Sequence, residues 1–195
     1  MKRTAIIFLI LISFIGGTVW YGKKLPELSH KSATQTFNRK SEFLWQLIFD
    51  YKRYPEWREN VYAIKQMPRT SKYDAWKEIN EDGITTPFQI IKFNQNTFIN
   101  MEETGDKHTN SGTWHFEITE NEDGTSTLTI TEDRLISQLV PRVLNHFLNT
   151  STDHIDAYFR SVNNKIIRDN IRSKKASQRL PKKANTPDNM KSMQK

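Results

Sequence analysis

The strongest constraint on the fold is a change of hydrophobic period near residue 137. Before it, short apolar runs alternate with turn sequences rich in Asn, Asp and Gly, which is typical of β-strands joined by tight connections. After it, apolar residues recur with the 3.6-residue period of an amphipathic helix. Because neighbouring strands on short connections pair antiparallel, the two periods together predict an antiparallel sheet covered by a helix. The predicted strands cover residues 61–67, 73–80, 86–94, 97–103, 111–120 and 126–132.

The last two runs alternate most clearly, so their side chains can be assigned to faces of the sheet. Apolar residues occupy every second position on one face of each run. These residues are Trp114, Phe116 and Ile118 in the first run, and Leu128 and Ile130 in the second. Two residues further along, the second face reaches Glu132. We therefore predict that Glu132 points into the interior, where a carboxylate is costly unless it is paired or protonated.

The residues before these runs predict one more strand and one short helix. Alternation predicts a strand near residues 33–37, and the apolar run 42–50 predicts a buried helix with Ser41 as its N-cap. Pro55 follows this helix and is expected to end it, because proline lacks an amide donor and disfavours helix at the preceding residue. We assign residues 25–167 to a single domain.

The helical period extends from Ser137 to Ile166, about eight turns. Pro141 falls in its first turn, where proline is tolerated. Past Arg168 the apolar positions become rare, and lysine and arginine dominate. We predict one long helix followed by a basic disordered tail over residues 168–195.

The N-terminal segment has the composition of a membrane-spanning or signal helix. Residues 5–21 carry no charge and lie between two pairs of basic residues. As a helix they reach about 25 Å, slightly short of the roughly 30 Å hydrocarbon core, and flanking lysines can bridge the difference. Trp20 and Tyr21 are residue types found at headgroup level. The sequence favours an uncleaved single-pass anchor over residues 1–24 with the domain outside the cytoplasm. A cleaved signal peptide, which would leave a secreted or periplasmic domain, and a buried helix stay open.

The formal charge of +7 is concentrated at the two ends of the chain. Residues 25–164 carry a net charge of −5, whereas the segment from Lys165 onward carries +8. An acidic body is a poor platform for nucleic acid, so we expect no nucleic-acid partner. The basic tail could approach an anionic membrane surface or remain solvated.

Several kinds of catalytic and cofactor site are excluded or lack support. The chain has no cysteine, which excludes disulfides, thiolate metal sites and cysteine nucleophiles. The five histidines show no metal-ligand spacing, and there is no glycine-rich nucleotide loop or serine-nucleophile elbow. We therefore expect neither a metal nor a cofactor.

A set of short motifs occurs in a specific order between about Lys31 and Asn164. The motifs are Phe43-Leu44-Trp45, Asp50, Tyr54-Pro55-Glu56-Trp57-Arg58, Gly112-Thr113-Trp114, Gly124-Thr125 and Thr131-Glu132. In their order and spacing they resemble the polyketide cyclase/dehydrase-like branch of the START-like, or SRPBCC, superfamily. The resemblance implies the α+β helix-grip fold, in which a curved antiparallel sheet of six or seven strands wraps a long C-terminal helix. It also implies an elongated apolar cavity for lipids, sterols, quinones, polyketides or hormones. Several members bind ligands without catalysis, so the resemblance implies no reaction.

Aromatic and apolar side chains of the predicted interior are candidates for contact with such a ligand. Aromatic walls suit flat or hydrocarbon ligands, although the same residues are equally typical of a packed core. The candidate ligand-binding residues are Trp57, Trp76, Phe88, Phe98, Trp114, Phe116, Ile118, Leu128, Ile130, Glu132, Phe147 and Tyr158.

Glu132 has three possible roles. It could be a structural acceptor for Arg134, Arg58 or an indole N–H, or it could contact a ligand. It is also a weak candidate for a catalytic group that polarises or deprotonates a carbonyl compound, with Arg58 or Tyr73 as a polar partner.

Three functions remain open for the chain. The favoured one is a membrane-tethered binding or carrier module for a hydrophobic small molecule such as a lipid, quinone or polyketide-like compound. The others are a cyclase/dehydrase-like enzyme using Glu132 and a non-catalytic interaction module of a membrane complex. The residues favour binding over catalysis.

Overall fold

A computed structural model describes residues 16–69, 72–104, 111–148 and 152–179. Within these ranges, seven antiparallel strands form one sheet in the order β1-β7-β6-β5-β4-β3-β2. The strands are β1 (Leu28–Phe37), β2 (Ala63–Gln66), β3 (Ala75–Ile79), β4 (Thr85–Asn94), β5 (Phe98–Glu103), β6 (Ser111–Glu120) and β7 (Ser126–Leu135). Strands β2 to β7 form a meander, and β1 pairs along the full length of β7. The predicted antiparallel α+β architecture and strand number are confirmed.

Helices pack on one face of the sheet, which we call the inner face. The helical segments among the described residues are α1 (16–24), α2 (Ser41–Phe49), a 3₁₀ turn (Tyr51–Glu56), α3 (Leu139–Leu148) and α4 (Thr152–Arg179). α2 and α4 bury apolar side chains against the strands in one hydrophobic core. From the helices this core takes Leu44, Trp45, Ile48, Ile155, Tyr158, Phe159 and Val162. Burial of this apolar area is the main force that holds the helices to the sheet.

The period-two pattern of the last two strands correctly assigns their inner faces. Trp114, Phe116 and Ile118 are buried along β6, with exposed or half-buried residues between them. Along β7 every second residue from Ser126 to Glu132 is buried, and the exposed fraction of Glu132 is 1%. The prediction that this carboxylate points into the interior is confirmed.

The start of α2 differs from the prediction. Its N-cap is Lys40, and no side chain caps the first turn. Ser41, the predicted cap, instead donates its hydroxyl to a carboxylate oxygen of Glu120 at the end of β6. A contact with the sheet has therefore taken the place of a local cap. Pro55 lies inside the 3₁₀ turn that follows α2 rather than directly ending the helix.

The prediction of one long helix from residue 137 was wrong, because the structure has two helices, α3 and α4, in this stretch. α3 packs against α1. A Cβ on Gly22 of α1 would come within 3.0 Å of a Val143 methyl carbon, so the glycine allows the two helices to approach closely. Of these two helices, α4 is the one that covers the inner face.

α4 also continues further than predicted. It extends through residues 168–179, which the sequence assigned to a disordered tail. Lys165 and Asp169 form an i,i+4 ion pair of 2.8 Å, and the arginines and lysines that follow are good helix formers. The remainder of the predicted tail, residues 180–195, lies outside the described residues.

The predicted N-terminal span is described only in part. Residues 5–15 lie outside the described residues, and residues 16–24 form α1. Over the four described ranges, the helices are all too short or too polar to cross a bilayer.

Candidate functional site

The residue types on the inner face change along the strands. At one end, which we call the aliphatic end, the side chains of Ile99, Phe116, Ile118, Leu128 and Ile130 are almost fully buried. At the other, which we call the charged end, the residues are Arg58, Glu78, Glu103, Glu132 and Arg134. These five charged side chains form two ion-pair groups, Arg58 with Glu78 and Arg134 with Glu103 and Glu132, so three carboxylates face two guanidinium groups. The site described below is built at the charged end.

The strand register brings part of this cluster together. Glu132 of β7 lies opposite Trp114 of β6, and Arg134 lies opposite Gly112, which in turn pairs with Glu103 of β5. Gly112 has no side chain to separate its two neighbours. A Cβ there would lie 3.1 Å from the Asp133 carbonyl oxygen, so a larger residue would crowd the backbone of β7. The gap left by the glycine lets Arg134 reach Glu103.

Arg134 is the centre of the first ion-pair group. Its Nε and Nη2 donate to the same oxygen of Glu132, Oε1, at 2.8 and 2.6 Å. Nη2 also donates to Oε2 of Glu103 at 3.3 Å. The second oxygen of Glu132, Oε2, is buried without a hydrogen-bond partner. Of the alternatives for Glu132, the structural pairing with Arg134 is present, and one oxygen remains available.

Arg58 forms the second group. Its Nη1 donates to Oε1 of Glu78 at 2.7 Å, and its guanidinium lies 4.8 Å from the ring centre of Tyr54 and 5.1 Å from that of Tyr158. The 3₁₀ turn after α2 positions this arginine, because the Arg58 amide donates to the Tyr54 carbonyl at 2.8 Å. Trp76 Nε1 also donates to Glu78, at 3.4 Å. Aromatic rings therefore surround an ion pair that is largely removed from water.

A cavity of about 300 Å³ opens between the charged end and the first turns of α4. Its apolar walls include Ile84, Phe88, Trp114, Ala157 and Tyr158. Its polar lining comprises Arg58, Asn60, Glu78, Asn80, Thr86, Glu103, Arg134, His154 and Ser161. The cavity is near the lower limit of volumes that hold small-molecule ligands, and its mixed lining is typical of such sites.

Two buried polar atoms at the cavity lack a hydrogen-bond partner. They are Nε1 of Trp114, a lining residue, and Oε2 of Glu132, which lies beside the cavity. An unsatisfied buried donor or acceptor costs about 1–3 kcal/mol, so clusters of such atoms call for an explanation. A ligand that offers both an acceptor and a donor would satisfy them.

Burial changes the acid–base character of the site. Burial raises the pKa of Glu103, the Glu132 and Glu78 carboxylates raise it further, and Arg134 opposes both effects. Burial also raises the pKa values of Tyr54 and Tyr158, so both phenols hold their protons. Glu103 therefore binds a proton more readily than an exposed glutamate does.

The predicted ligand-binding residues fall into four groups. Phe88, Trp114 and Tyr158 line the cavity, and Glu132 lies beside it, bonded to Arg134. The following predicted residues are buried in the core away from the cavity lining: Trp76, Phe116, Ile118, Leu128 and Ile130. Trp57 packs its ring against Tyr158 at 5.4 Å and lines a separate groove between α2 and α4.

Two of the predicted residues lie away from the interior. Phe98 is on the outer face of β5, next to His115 and below Lys92, because the buried positions of that strand are Ile99 and Met101. Phe147 is on α3, 68% exposed, because α3 packs on α1 and not on the sheet. Tyr73, proposed as a polar partner of Glu132, instead packs on Phe93.

Sequence reasoning missed Glu78 and Glu103. A signal for both was present: Trp76 and Glu78 share one face of β3, and Met101 and Glu103 share one face of β5. Within the part of the chain that the structure describes, no group of three histidine, aspartate or glutamate side chains is placed to hold a metal ion.

Comparison with solved structures identifies the fold. A START superfamily protein from Mycobacterium smegmatis has a TM-score of 0.55 at 12% identity, over 71% of this chain and 97% of that one. Ara h 8.0201 has a TM-score of 0.54 at 11% identity, over 72% of this chain and 99% of that one. The di-domain ARO/CYC BexL from the BE-7585A biosynthetic pathway has a TM-score of 0.55 at 13% identity, over 70% of this chain and 50% of that one. No family model and no curated protein matches the sequence. The chain has the helix-grip fold of the START-like, or SRPBCC, superfamily, as its motifs implied.

Proposed function

We propose that this helix-grip domain is a membrane-tethered binding or carrier module whose cavity holds a hydrophobic small molecule with hydrogen-bonding groups. The observation that supports this most directly is the set of unpartnered polar atoms beside the cavity. Trp114 offers a free indole N–H and Glu132 a free carboxylate oxygen, and these two residues lie directly opposite each other on β6 and β7. A protein that only packed its own core would gain stability by satisfying or removing such atoms.

The cavity lining defines the chemical class of the ligand. Phe88, Trp114 and Tyr158 offer flat apolar surface, which suits an aromatic, quinone-like or polyketide-like ring system or a short hydrocarbon chain. The indole N–H requires an acceptor such as a carbonyl, and the Glu132 oxygen requires a donor such as a hydroxyl. The charged end carries one more carboxylate than guanidinium groups, which disfavours an anionic ligand. We expect a neutral ligand with carbonyl and hydroxyl groups at one end.

The membrane tether is part of the proposal and rests on the sequence. Residues 5–21 form an uncharged segment flanked by basic residues, and its described part, residues 16–21, belongs to α1. A membrane anchor places the domain beside the phase in which hydrophobic molecules concentrate. The short basic N-terminus favours a domain outside the cytoplasm.

Mass spectrometry of the purified full chain tests the binding proposal. We compare Ala157→Trp, which adds a large ring to the cavity wall, with Ala176→Trp on the exposed end of the same helix. We expect the unmodified chain and Ala176→Trp to retain one hydrophobic compound at near-stoichiometric amounts through purification. Ala157→Trp should lose that compound selectively, against a common background of bulk lipid and detergent.

Circular dichroism and thermal unfolding keep this test interpretable. If Ala157→Trp does not fold, Thr86→Phe fills the opposite cavity wall and replaces it. The same set of bound compounds in the unmodified chain and in a folded cavity-filled variant would contradict the proposal.

A second candidate function is acid–base catalysis on a carbonyl compound. The observation that favours it is the presence of two carboxylates, Glu78 and Glu103, in the lining of one cavity, with burial raising the pKa of Glu103 so that this group can donate a proton. In this version Glu103 is the acid, and Glu132, fixed by Arg134, orients the substrate.

Proton exchange of a simple β-diketone in D₂O, followed by NMR, tests the catalytic candidate. An enzyme should accelerate the exchange, and Glu103→Gln should lower that acceleration by about 10²–10⁴-fold, the usual contribution of a general acid or base. Equal exchange rates with the unmodified chain, with Glu103→Gln and without protein would leave binding as the function.

A further inference from the structure

α3 presents an apolar face outward. Val140, Leu144 and Phe147 follow one another at helical spacing and are 58%, 50% and 68% exposed. A surface helix of a water-soluble domain normally turns such a stripe toward its core. Together with Gly17, Thr18 and Tyr21 of α1, these side chains line an apolar groove of about 630 Å³.

α3 is fixed rigidly to the end of α1 by one buried arginine. Arg142 is 6% exposed and forms hydrogen bonds to both segments around it. It donates to the carbonyls of Ile136 and Ser137 at 3.0 Å each, and to those of Gly22 and Leu25 at 3.3 and 3.4 Å. It also pairs with the Glu27 carboxylate at 2.8 Å. The direction of α1 therefore sets the direction of α3.

The sequence before α1 and the side chains of α1 itself indicate what covers this face. The described part of α1 starts at residue 16, and the sequence before it, residues 5–15, is uncharged and almost entirely apolar. In α1, Trp20 is exposed and Lys24 lies 3.8 Å above its ring, which is the pairing expected at the headgroup layer. Tyr21 stacks on Phe147 at 5.6 Å, so the exposed stripe of α3 lies at the same level as these residues.

We propose that α3 inserts its apolar face into the bilayer interface beside α1, with lipid acyl chains filling the groove between them. This inference rests on the proposed membrane tether. α3 also joins two residues of the cavity lining, Arg134 before it and His154 after it.

The absence of cysteine makes a site-specific label straightforward. The full chain is prepared as Leu144→Cys or Ile171→Cys, labelled with NBD and reconstituted into vesicles of phosphatidylethanolamine and phosphatidylglycerol. Ile171 is the matched control because it is an apolar helical residue with 48% exposure. Its neighbour Asn170 contacts Arg39, which follows the C-terminal end of β1. That end lies about 30 Å from Leu28, at the end of β1 that follows α1, so residue 171 is distant from α1.

The results of this experiment distinguish the insertion of α3 from the membrane tether. We expect blue-shifted NBD emission at residue 144, with several-fold stronger quenching by lipids that carry a shallow doxyl group than at residue 171. Iodide in the water should quench residue 171 preferentially. Vesicles that float with the protein while iodide quenches both positions equally would overturn the insertion of α3 and leave the tether intact. Protein that does not float would overturn both. Efficient disulfide cross-linking between Leu144→Cys chains would show that a second copy, and not lipid, covers the face, and would also overturn the inference.

Discussion

The aliphatic end and the charged end of the inner face are formed by the same strands. In β7, Leu128 and Ile130 are fully buried among other apolar side chains, whereas Glu132, the next inward residue, is buried against a guanidinium group. The aliphatic end gains stability from each methyl group it removes from water. At the charged end, the desolvation of ions opposes their mutual attraction, and open volume remains. The difference indicates that one end holds the sheet and helices together, while the other has the open volume in which we propose that the ligand binds.

The largest effect should come from separating the buried ion pair. Arg134→Ala leaves Glu132, at 1% exposure, without its counter-ion, so we expect a loss of about 3–5 kcal/mol in the free energy of unfolding. Urea unfolding followed by tryptophan fluorescence measures it. Arg53→Ala is the matched control, because Arg53 forms an ion pair with Glu56 on the surface, where such pairs contribute little.

A double variant sharpens the same test. Replacing Glu132 as well, as Glu132→Leu with Arg134→Leu, removes the fully buried carboxylate and should recover part of the lost stability, although Glu103 stays without its Arg134 partner. The recovered protein should no longer retain the cavity ligand. Equal losses in Arg134→Ala and Arg53→Ala would contradict the view that the charged end depends on paired charges.

Creating a cavity at the aliphatic end should lower the free energy of unfolding slightly less than Arg134→Ala does, and the ligand should stay bound. Ile130→Ala removes methyl groups from a fully buried position, and we expect a loss of about 2–5 kcal/mol. Ile91→Ala, at an exposed position of β4, should change stability by no more than about 0.5 kcal/mol. Loss of the bound compound from a folded Ile130→Ala variant would show that the two ends are not separate in function.

The sequence allowed the inner face to be predicted wherever alternation was clear. In β6 and β7 every second residue is apolar, so the inward position of Glu132 follows from counting. The same rule, applied to β5, would have found Glu103 and would have excluded Phe98. That residue shares its face with Asn100 and Glu102, while Ile99 and Met101 are buried. Phe98 was predicted to contact a ligand because it is aromatic, although its position in the alternation places it on the outer face.

Other features depend on partners that the local pattern does not reveal. The stripe of α3 has the period of a core helix, and only its contact with α1 shows that Phe147 lies away from the sheet. The pairing of Arg58 with Glu78 joins the turn after α2 to β3, twenty residues apart in sequence. Neither contact has a signature in its own segment, because each depends on tertiary packing.

A smaller effect should appear as a pH dependence of the charged end. The folded-state pKa of Glu103 lies above its ordinary value of 4.5, chiefly because of burial. The folded state therefore binds this proton more tightly, and the stabilisation is fully present below pH 4.5 and decreases as the pH rises through the folded-state pKa. Glu103→Gln cannot titrate. Relative to the unmodified chain, its free energy of unfolding should therefore increase as the pH rises from 4.5.

Urea unfolding at a series of pH values measures this difference, with Glu102→Gln on the outer face of the same strand as the control. A difference between Glu103→Gln and the unmodified chain that stays constant with pH, or that decreases with rising pH, would contradict the raised pKa. A similar slope for Glu102→Gln would mean that the effect is not specific to the inner face.

The smallest effect should come from the outer face, where β1 and β7 carry a row of paired hydroxyl groups. Thr34 and Thr129 are hydrogen-bonded at 3.0 Å, directly opposite each other in the register. Cross-strand pairs of this kind contribute about 0.2–1 kcal/mol, so Thr129→Val should reduce the free energy of unfolding by no more than this amount. A double-mutant cycle with Thr34→Val isolates the pair. The replaced residue is adjacent to Ile130 in sequence but lies on the opposite face. If Thr129→Val lowered the free energy of unfolding as much as Ile130→Ala does, the pairing of β1 with β7, and not burial on the inner face, would govern stability at this edge of the sheet.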